Sequence, residues 1–128
     1  RFMTFSNEAI HVNIATKYLK QQSSPEKKQY AFAYHVTISN MGGFAAQLLT
    51  RHWIIIDGNQ EREEVHGSGV IGQQPLIKPG MSYEYTSGVI LKTPIGTMQG
   101  SYSMIDNNGE TLDVRIEPFL LSVPNAVH

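Results

Sequence analysis

Apolar side chains occupy every second position along several stretches of this 128-residue chain. In the clearest stretch, residues 30–38, the even-numbered positions are all aromatic or β-branched. A period of two indicates a strand with one buried face, and no stretch keeps a helical period. About seven such strands, with turn signals roughly every dozen residues, predict an all-β fold, an antiparallel β-sandwich. The predicted strands span residues 8–18, 30–38, 47–57, 61–66, 81–91, 97–105 and 111–117.

Turn residues define two of the connections. Pro79-Gly80 predicts a type II turn, with glycine where a positive φ is required. In the last two strands the even-numbered residues are apolar. If the two apolar rows are to share one face, the residue numbers of each facing pair must add to an even number. A two-residue loop gives an odd sum, whereas a three-residue loop at 107–109 pairs Met104 with Leu112. The sequence therefore predicts the three-residue loop, with a left-handed glycine at its last position.

The composition excludes several classes of function. Only 16 % of the residues are charged, the net charge is −1, and cysteine is absent. Without cysteine there are no disulfides, no thiol catalysis and no cysteine-bound zinc. The sequence shows neither the concentrated basic face that nucleic acids require nor the long apolar run of a membrane span. We expect one domain over residues 1–128, in a soluble, cytoplasmic protein that binds neither nucleic acid nor membrane, and the sequence leaves homo-oligomer formation open.

Histidines raise the question of a metal site. The first two strands are expected to pair with Val12 opposite Val36, which puts both apolar rows on one side. In that register His11 and His35 are diagonal neighbours on the outer face, roughly 7–8 Å apart, a distance that two imidazoles can bridge. Surface histidines without a metal are commoner, so no metal ligand is assigned, and His11 and His35 are the candidates. The other histidines have no partner that the sequence identifies.

Gly67, Gly69 and Gly72 match the dinucleotide-binding pattern G-x-G-x-x-G. That pattern binds pyrophosphate only when a helix follows, because amides at the helix N-terminus hold the phosphates. Pro75 and Pro79 leave no room for that helix. We therefore interpret the three glycines as structural and predict that they bind no nucleotide. At least one of them is expected to have a positive φ or to lie against a neighbouring strand.

The sequence contains no pattern typical of a catalytic site. Glu61, Glu63 and Glu64 have the pattern of a solvated edge strand, and Asp106 has that of a turn residue. Serines occur only in polar or glycine-rich settings, without the strand–turn–helix context of an activated nucleophile. Acid–base chemistry needs two groups in a cleft with separated pKa values, which the sequence does not place. The chain is therefore predicted not to be an enzyme and to need no cofactor.

Several segments resemble the bacterial ApaG family: QQPLIKPG, YEYTSG, TPIGTMQGSYSMID, AFAYHVTISN and the strand around Trp53. The resemblance covers nearly the whole chain and implies an immunoglobulin- or fibronectin type III-like β-sandwich. Bacterial members carry a name that links them to cobalt and magnesium efflux or resistance. Related domains in eukaryotic F-box proteins imply a role in protein interaction. The family supplies no catalytic or metal-binding residues to transfer, and its members share the glycine pattern.

Two alternative functions follow from these observations. The first is a non-catalytic module that binds a protein partner or a small ligand, because the sandwich lacks a catalytic or metal constellation. The alternative is a divalent-cation sensor or an accessory to cation transport, which rests on the family's name and on the His11–His35 pair. Such a site should prefer cobalt or nickel through imidazole, because the sequence shows no acidic cluster for magnesium.

Overall fold

Two antiparallel sheets make up the structure, a computed structural model that describes residues 2–6 and 9–125. The prediction of an all-β, antiparallel sandwich is confirmed. These residues form nine strands rather than about seven, because residues 2–6 and a two-residue segment also pair. The predicted start of one strand at Glu8 lies outside the described residues. The strands are β1 (Phe2–Ser6), β2 (Ile10–Tyr18), β3 (Tyr30–Asn40), β4 (Ala46–Asp57), β5 (Arg62–Ser68), β6 (Leu76–Ile77), β7 (Ser82–Leu91), β8 (Ile95–Asp106) and β9 (Thr111–Ser122).

The order of the strands leaves one side of the sandwich open. Sheet one has the order β1-β2-β3-β7, and sheet two has the order β5-β4-β8-β9 with β6 beside β4. β1 and β2 contact β9, which closes one side. β5 and β7 end the two sheets at the opposite side, and within the described residues each pairs with a single strand. The helical turns have three residues each, so none in the described ranges could cross a membrane.

Aromatic side chains join the two sheets. The Trp53 ring on β4 makes edge contacts with Tyr34 of sheet one and with Tyr102 and Phe119 of sheet two, at centroid distances of 5.7, 5.8 and 6.0 Å. Such edge-to-face pairs add to the stabilisation that burial provides. The hydroxyl groups of Tyr85 on β7 and Tyr102 on β8 hydrogen-bond to each other across the core. Burial raises the pKa of both hydroxyls, so both stay protonated.

The pairing of β2 with β3 differs from the predicted register by two residues. Val12 lies opposite Ile38, not opposite Val36. A shift of two keeps every side chain on its face, so the alternation of the sequence fits both registers equally well. The connection between the strands decides the register, because the Leu19 amide donates to the carbonyl of Ala31 and two short 3₁₀ turns complete the loop.

Both predicted turns are confirmed. Gly80 has a φ of +78°, and the Met81 amide donates to the carbonyl of Lys78 at 2.9 Å. In the β8–β9 hairpin, Met104 pairs with Leu112, and the last loop residue has a φ of +83°. The parity of the apolar positions was therefore sufficient to fix this register.

β9 extends to Ser122, beyond its predicted end. Met98 pairs with Phe119 and Gly100 pairs with Ile116, so β9 has one extra residue between these two pairs. This β-bulge lies at a Glu-Pro step, a position where proline is tolerated in a strand. The bulge reverses the parity, so odd-numbered residues face the core after it, and a constant period of two could not predict the continuation.

Candidate functional site

The glycine pattern forms the end of β5 and a tight turn. Gly69 and Gly72 have φ values of +60° and +71°, so the prediction of a positive φ in this pattern is confirmed. Val70 and Gln73 exchange two backbone hydrogen bonds of 2.8 and 2.9 Å around the turn. Among the described residues the turn leads into β6 and not into a helix. The amides of Gly69 and Val70 donate to backbone carbonyls, so neither is directed at a ligand.

Gly67 makes room for a charged side chain. A Cβ at this position would lie 2.5 Å from Arg51 Nη1. The same nitrogen donates to the carbonyls of Ser68 and Gly69, at 3.2 and 2.9 Å. The first glycine thus allows Arg51 to lie against the backbone of β5, and the later two provide left-handed turn positions. The absence of nucleotide binding stays a prediction.

The structure does not bring His11 and His35 together. His11 lies opposite Ser39 and His35 lies opposite Ala15, so the two histidines are separated by four positions along the ladder. Four residues of a strand span roughly 13 Å, too far for one ion. The physical reason is the two-residue difference in register. His35 Nε2 instead lies 2.9 Å from the Glu84 carboxylate on β7.

Three metal-ligating side chains converge on the outer face of sheet two; we call them the His-Glu-His cluster. His52 on β4 lies directly opposite His66 on β5, and Glu64 lies two residues before His66 on the same face. The imidazole rings stack with a centroid distance of 4.1 Å and 12° between their planes. Glu64 Oε2 lies 3.0 Å from His52 Nε2 and 3.4 Å from His66 Nε2. One donor atom from each residue lies within 4.8 Å of the others.

Glu64 is the charged centre of the cluster. Arg62 Nη2 donates to its other oxygen, Oε1, at 2.9 Å. Hydrogen bonds from Arg62 and then from His52 lower the pKa of Glu64 from 4.5 to about 2. The carboxylate is therefore ionised at neutral pH and accepts hydrogen bonds on both oxygens. Two imidazoles and an ionised carboxylate form a donor set that suits transition-metal ions.

Sequence reasoning missed the cluster because it did not fix the register of the β4–β5 hairpin. In the structure the turn after Asp57 resembles the β8–β9 loop, because Asp57 Oδ1 accepts the amides of Asn59 and Glu61. A three-residue loop after Asp57 puts His52 opposite His66. The parity argument used for the last two strands does not transfer to this hairpin, because residues 54–56 are consecutive isoleucines and the left-handed last loop position is Gln60, with a φ of +66°, not a glycine.

A cleft of about 630 Å³ opens between β5 and β7, at the open side of the sandwich. Arg51, Glu63 and Ser87 are the polar side chains of its lining. Trp53 also lines the cleft, and its Nε1 is buried without an acceptor among the described residues. The apolar part of the lining includes Phe32, Tyr34, Ile55, Val65 and Val89. An apolar cavity with a few polar groups at its walls is the usual form of a ligand site.

Two of the carboxylates considered as acid–base candidates, Asp106 and Glu61, have partners outside the cleft. Asp106 Oδ1 accepts the amides of Asn108 and Glu110, each at 2.9 Å, so its assignment as a turn residue is confirmed. Glu61 pairs with Lys92 at 3.3 Å on the surface. Glu63, by contrast, lines the cleft.

Comparison with known proteins places the chain in a family. The family model described as the ApaG domain matches residues 20–106. Protein ApaG of Pseudomonas putida (strain F1) is 52 % identical over 119 residues, which cover 93 % of this chain and 94 % of the relative. Protein ApaG of Pseudomonas syringae pv. tomato is 49 % identical over 126 residues, 98 % of this chain and 100 % of the relative. The crystal structure of a Bordetella pertussis protein named ApaA superposes with a TM-score of 0.89 at 49 % identity, covering 91 % of this chain and 95 % of that one. The chain belongs to the ApaG family.

Proposed function

We propose that the protein is a non-catalytic binding module whose β5–β7 cleft takes an extended segment of a partner protein. The observation that carries this proposal is the position of the cleft beside an unpaired strand edge. Within the described residues β7 pairs only with β3, so its other edge is free beside the cleft. An extended peptide can add to such an edge through its backbone while its alternate side chains enter a neighbouring pocket.

The two edges of the cleft are not equally suited to this addition. β5 carries Arg62, Glu63 and Glu64 in succession, and charged side chains on an edge oppose pairing with another strand. The second half of β7, from Thr86 to Leu91, carries no charge. Ile90 is 63 % exposed on this half, at the wall of the cleft. We therefore expect the partner strand to pair with β7 and to place apolar side chains in the cleft.

A selection from displayed linear peptides, followed by titration of the best peptide into isotope-labelled protein, tests this proposal. Selected peptides should carry apolar residues at alternate positions, and their binding should shift the amide signals of β7. Ile90→Glu should weaken binding about tenfold or more, because it puts a charge beside the apolar cleft. Leu76→Glu is the matched control, since Leu76 is 57 % exposed on β6, outside the cleft lining.

Equal weakening by both substitutions, or amide shifts confined to other strands, would contradict the proposal. Binding of a small amphipathic compound in the cleft, without any peptide, would favour the small-ligand form of the same function. Reproducible turnover of a small molecule by the purified protein, lost in Glu63→Gln, would contradict the non-catalytic part. The proposal includes a cytoplasmic location and no binding to nucleic acid or membrane, as the composition led us to expect.

The alternative function, a divalent-cation sensor or an accessory to cation transport, requires a metal site. The geometry of His11 and His35 gives this alternative no support. Among the residues that the structure describes, it therefore depends on the His-Glu-His cluster. Metal binding there would not by itself imply sensing or transport, so this function stays second.

A further inference from the structure

The His-Glu-His cluster has donor spacings close to those of a bound metal ion. Glu64 Oε2 lies 3.0 and 3.4 Å from the Nε2 atoms of His52 and His66. Two donors that are each about 2.0–2.1 Å from one tetrahedral ion lie roughly 3.3 Å apart. The two spacings to Glu64 therefore already suit one ion, and one donor atom from each residue lies within 4.8 Å of the others, so an ion bound there would replace the hydrogen bonds to Glu64.

We propose that His52, Glu64 and His66 form a binding site for a late first-row divalent ion, of which Zn²⁺ and Ni²⁺ are examples. Two neutral imidazole nitrogens and one carboxylate oxygen suit these ions. Mg²⁺ and Ca²⁺ prefer oxygen ligands throughout and should not bind appreciably. Three protein ligands leave at least one coordination position open, for water or for a donor from another molecule. This site is on the outer face of sheet two and does not depend on what occupies the cleft.

The surroundings of the cluster allow the adjustment that metal binding requires. Parallel stacked rings do not direct both nitrogen lone pairs at one point, so the rings must splay apart slightly. The side chains of His52 and His66 are 31 % and 70 % exposed, so solvent-facing space is available. Arg62 binds only Oε1 of Glu64, which leaves Oε2 directed at the histidines. Its positive charge opposes a bound cation, so Arg62→Gln should bind metal at least as tightly as the parent.

The other sheet offers a matched control. His35 Nε2 also lies close to a carboxylate, that of Glu84, at 2.9 Å, and its Nδ1 lies 2.7 Å from the Thr86 hydroxyl. That group contains one imidazole rather than two. His35→Asn therefore removes an exposed histidine with a carboxylate partner and leaves the proposed site intact.

Calorimetric titration of Zn²⁺ into the full chain, prepared without a histidine tag, tests the site. We expect one ion per chain, with the affinity lowered at least about 10–100-fold by His52→Asn, by His66→Asn or by Glu64→Gln, because losing a ligand costs no less than losing a residue that orients one. His35→Asn should leave the affinity unchanged. Proton–nitrogen correlation spectra of the imidazoles should show Zn²⁺ shifting the Nε2 signals of His52 and His66.

Several outcomes would overturn the assignment. These are the absence of Zn²⁺ binding, an unchanged affinity in the His52→Asn, His66→Asn double variant, and an equal loss in His35→Asn. Comparable binding of Mg²⁺ would also overturn it, because the proposed donor set selects against that ion. Thermal unfolding of each variant without metal separates a lost ligand from a lost fold.

Discussion

Gly69→Ala is the substitution for which the structure makes the sharpest prediction. Gly69 has a φ of +60°, and a Cβ there would lie 2.0 Å from the backbone oxygen of Gln73. That oxygen accepts the Val70 amide across the tight turn, so the carbonyl is held in place. The Gly69 amide also donates to the carbonyl of Leu49 at 2.8 Å, which fixes the residue from the other side. The added methyl group must therefore displace backbone atoms, not a flexible side chain.

The expected loss of stability has two contributions. A left-handed conformation costs a residue with a Cβ roughly 1–2 kcal/mol. Forcing an extra methyl group into a filled position typically adds roughly 1–3 kcal/mol. We expect Gly69→Ala to lower the free energy of unfolding by about 2–5 kcal/mol. Gly72→Ala is the matched control: Gly72 has a φ of +71°, but a Cβ added there would meet no neighbouring atom within 4 Å, so only about 1–2 kcal/mol should be lost.

Urea unfolding followed by the fluorescence of the single tryptophan, Trp53, measures both values. The difference between the unfolding free energies of the two variants gives the cost of the contact with Gln73. Equal losses of unfolding free energy in Gly69→Ala and Gly72→Ala would refute the reasoning. Both glycines have a positive φ, and they differ in whether an added Cβ would meet a neighbouring atom. Phosphorus NMR of ATP with the parent protein should show no binding. Saturable binding that Gly69→Ala abolishes in a folded variant would refute the structural interpretation of the glycine pattern.

Three further predictions concern other parts of the fold. Tyr102→Phe should cost about 1–3 kcal/mol by urea unfolding, because it leaves the Tyr85 hydroxyl buried without its partner, and the double Phe variant should cost less than the sum of the single variants. Ile71→Asn should raise the free energy of unfolding by about 1 kcal/mol. Ile71 is β-branched and has a φ of +47°, and Asn-Gly is the favoured pair in a two-residue turn of this kind. An unchanged or lower free energy of unfolding would contradict this. A hydrogen bond from His35 lowers the pKa of Glu84 below 4.5, so this carboxylate stabilises the fold above that pH and loses the contribution as the pH falls through its lower pKa. In carboxyl NMR titrations, His35→Ala should return the midpoint of Glu84 towards 4.5, and an unmoved midpoint would exclude this cause.

Local patterns in the sequence were sufficient for the fold class and for some registers. Alternating apolar residues predicted the main strands, because the side chains of a strand point to opposite faces in turn. In the β8–β9 hairpin, the parity of the apolar rows and the turn glycine left one loop length, and the structure has that loop. A Pro-Gly pair identified the turn at residues 78–81, where Gly80 supplies the positive φ of +78°.

Features that depend on contacts between distant segments were not available from these patterns. The β2–β3 register differs from the prediction by two residues, and a period of two cannot distinguish registers that differ by an even number. The bulge in β9 reversed the parity at a proline, so the strand continued where the pattern ended. The connection between β2 and β3 sets the first difference, and the pairing of β9 with β8 sets the second.

The candidate sites also divide into features that local patterns predicted and features that depend on strand pairing. The prolines after the glycine pattern led us to interpret its glycines as structural, and the absence of nucleotide binding stays a prediction. The sequence assigned no metal ligand, and it named His11 and His35 as candidates through a register that the fold does not use. The convergence of His52, Glu64 and His66 arises from the pairing of β4 with β5, and the cleft arises from the way the two sheets end. Where the alternation is unbroken, the sequence by itself determined which face of a strand is buried, because burial follows the side-chain period. Only the tertiary structure decided which polar residues meet, because an outward-facing residue gains its neighbours from strand order and register.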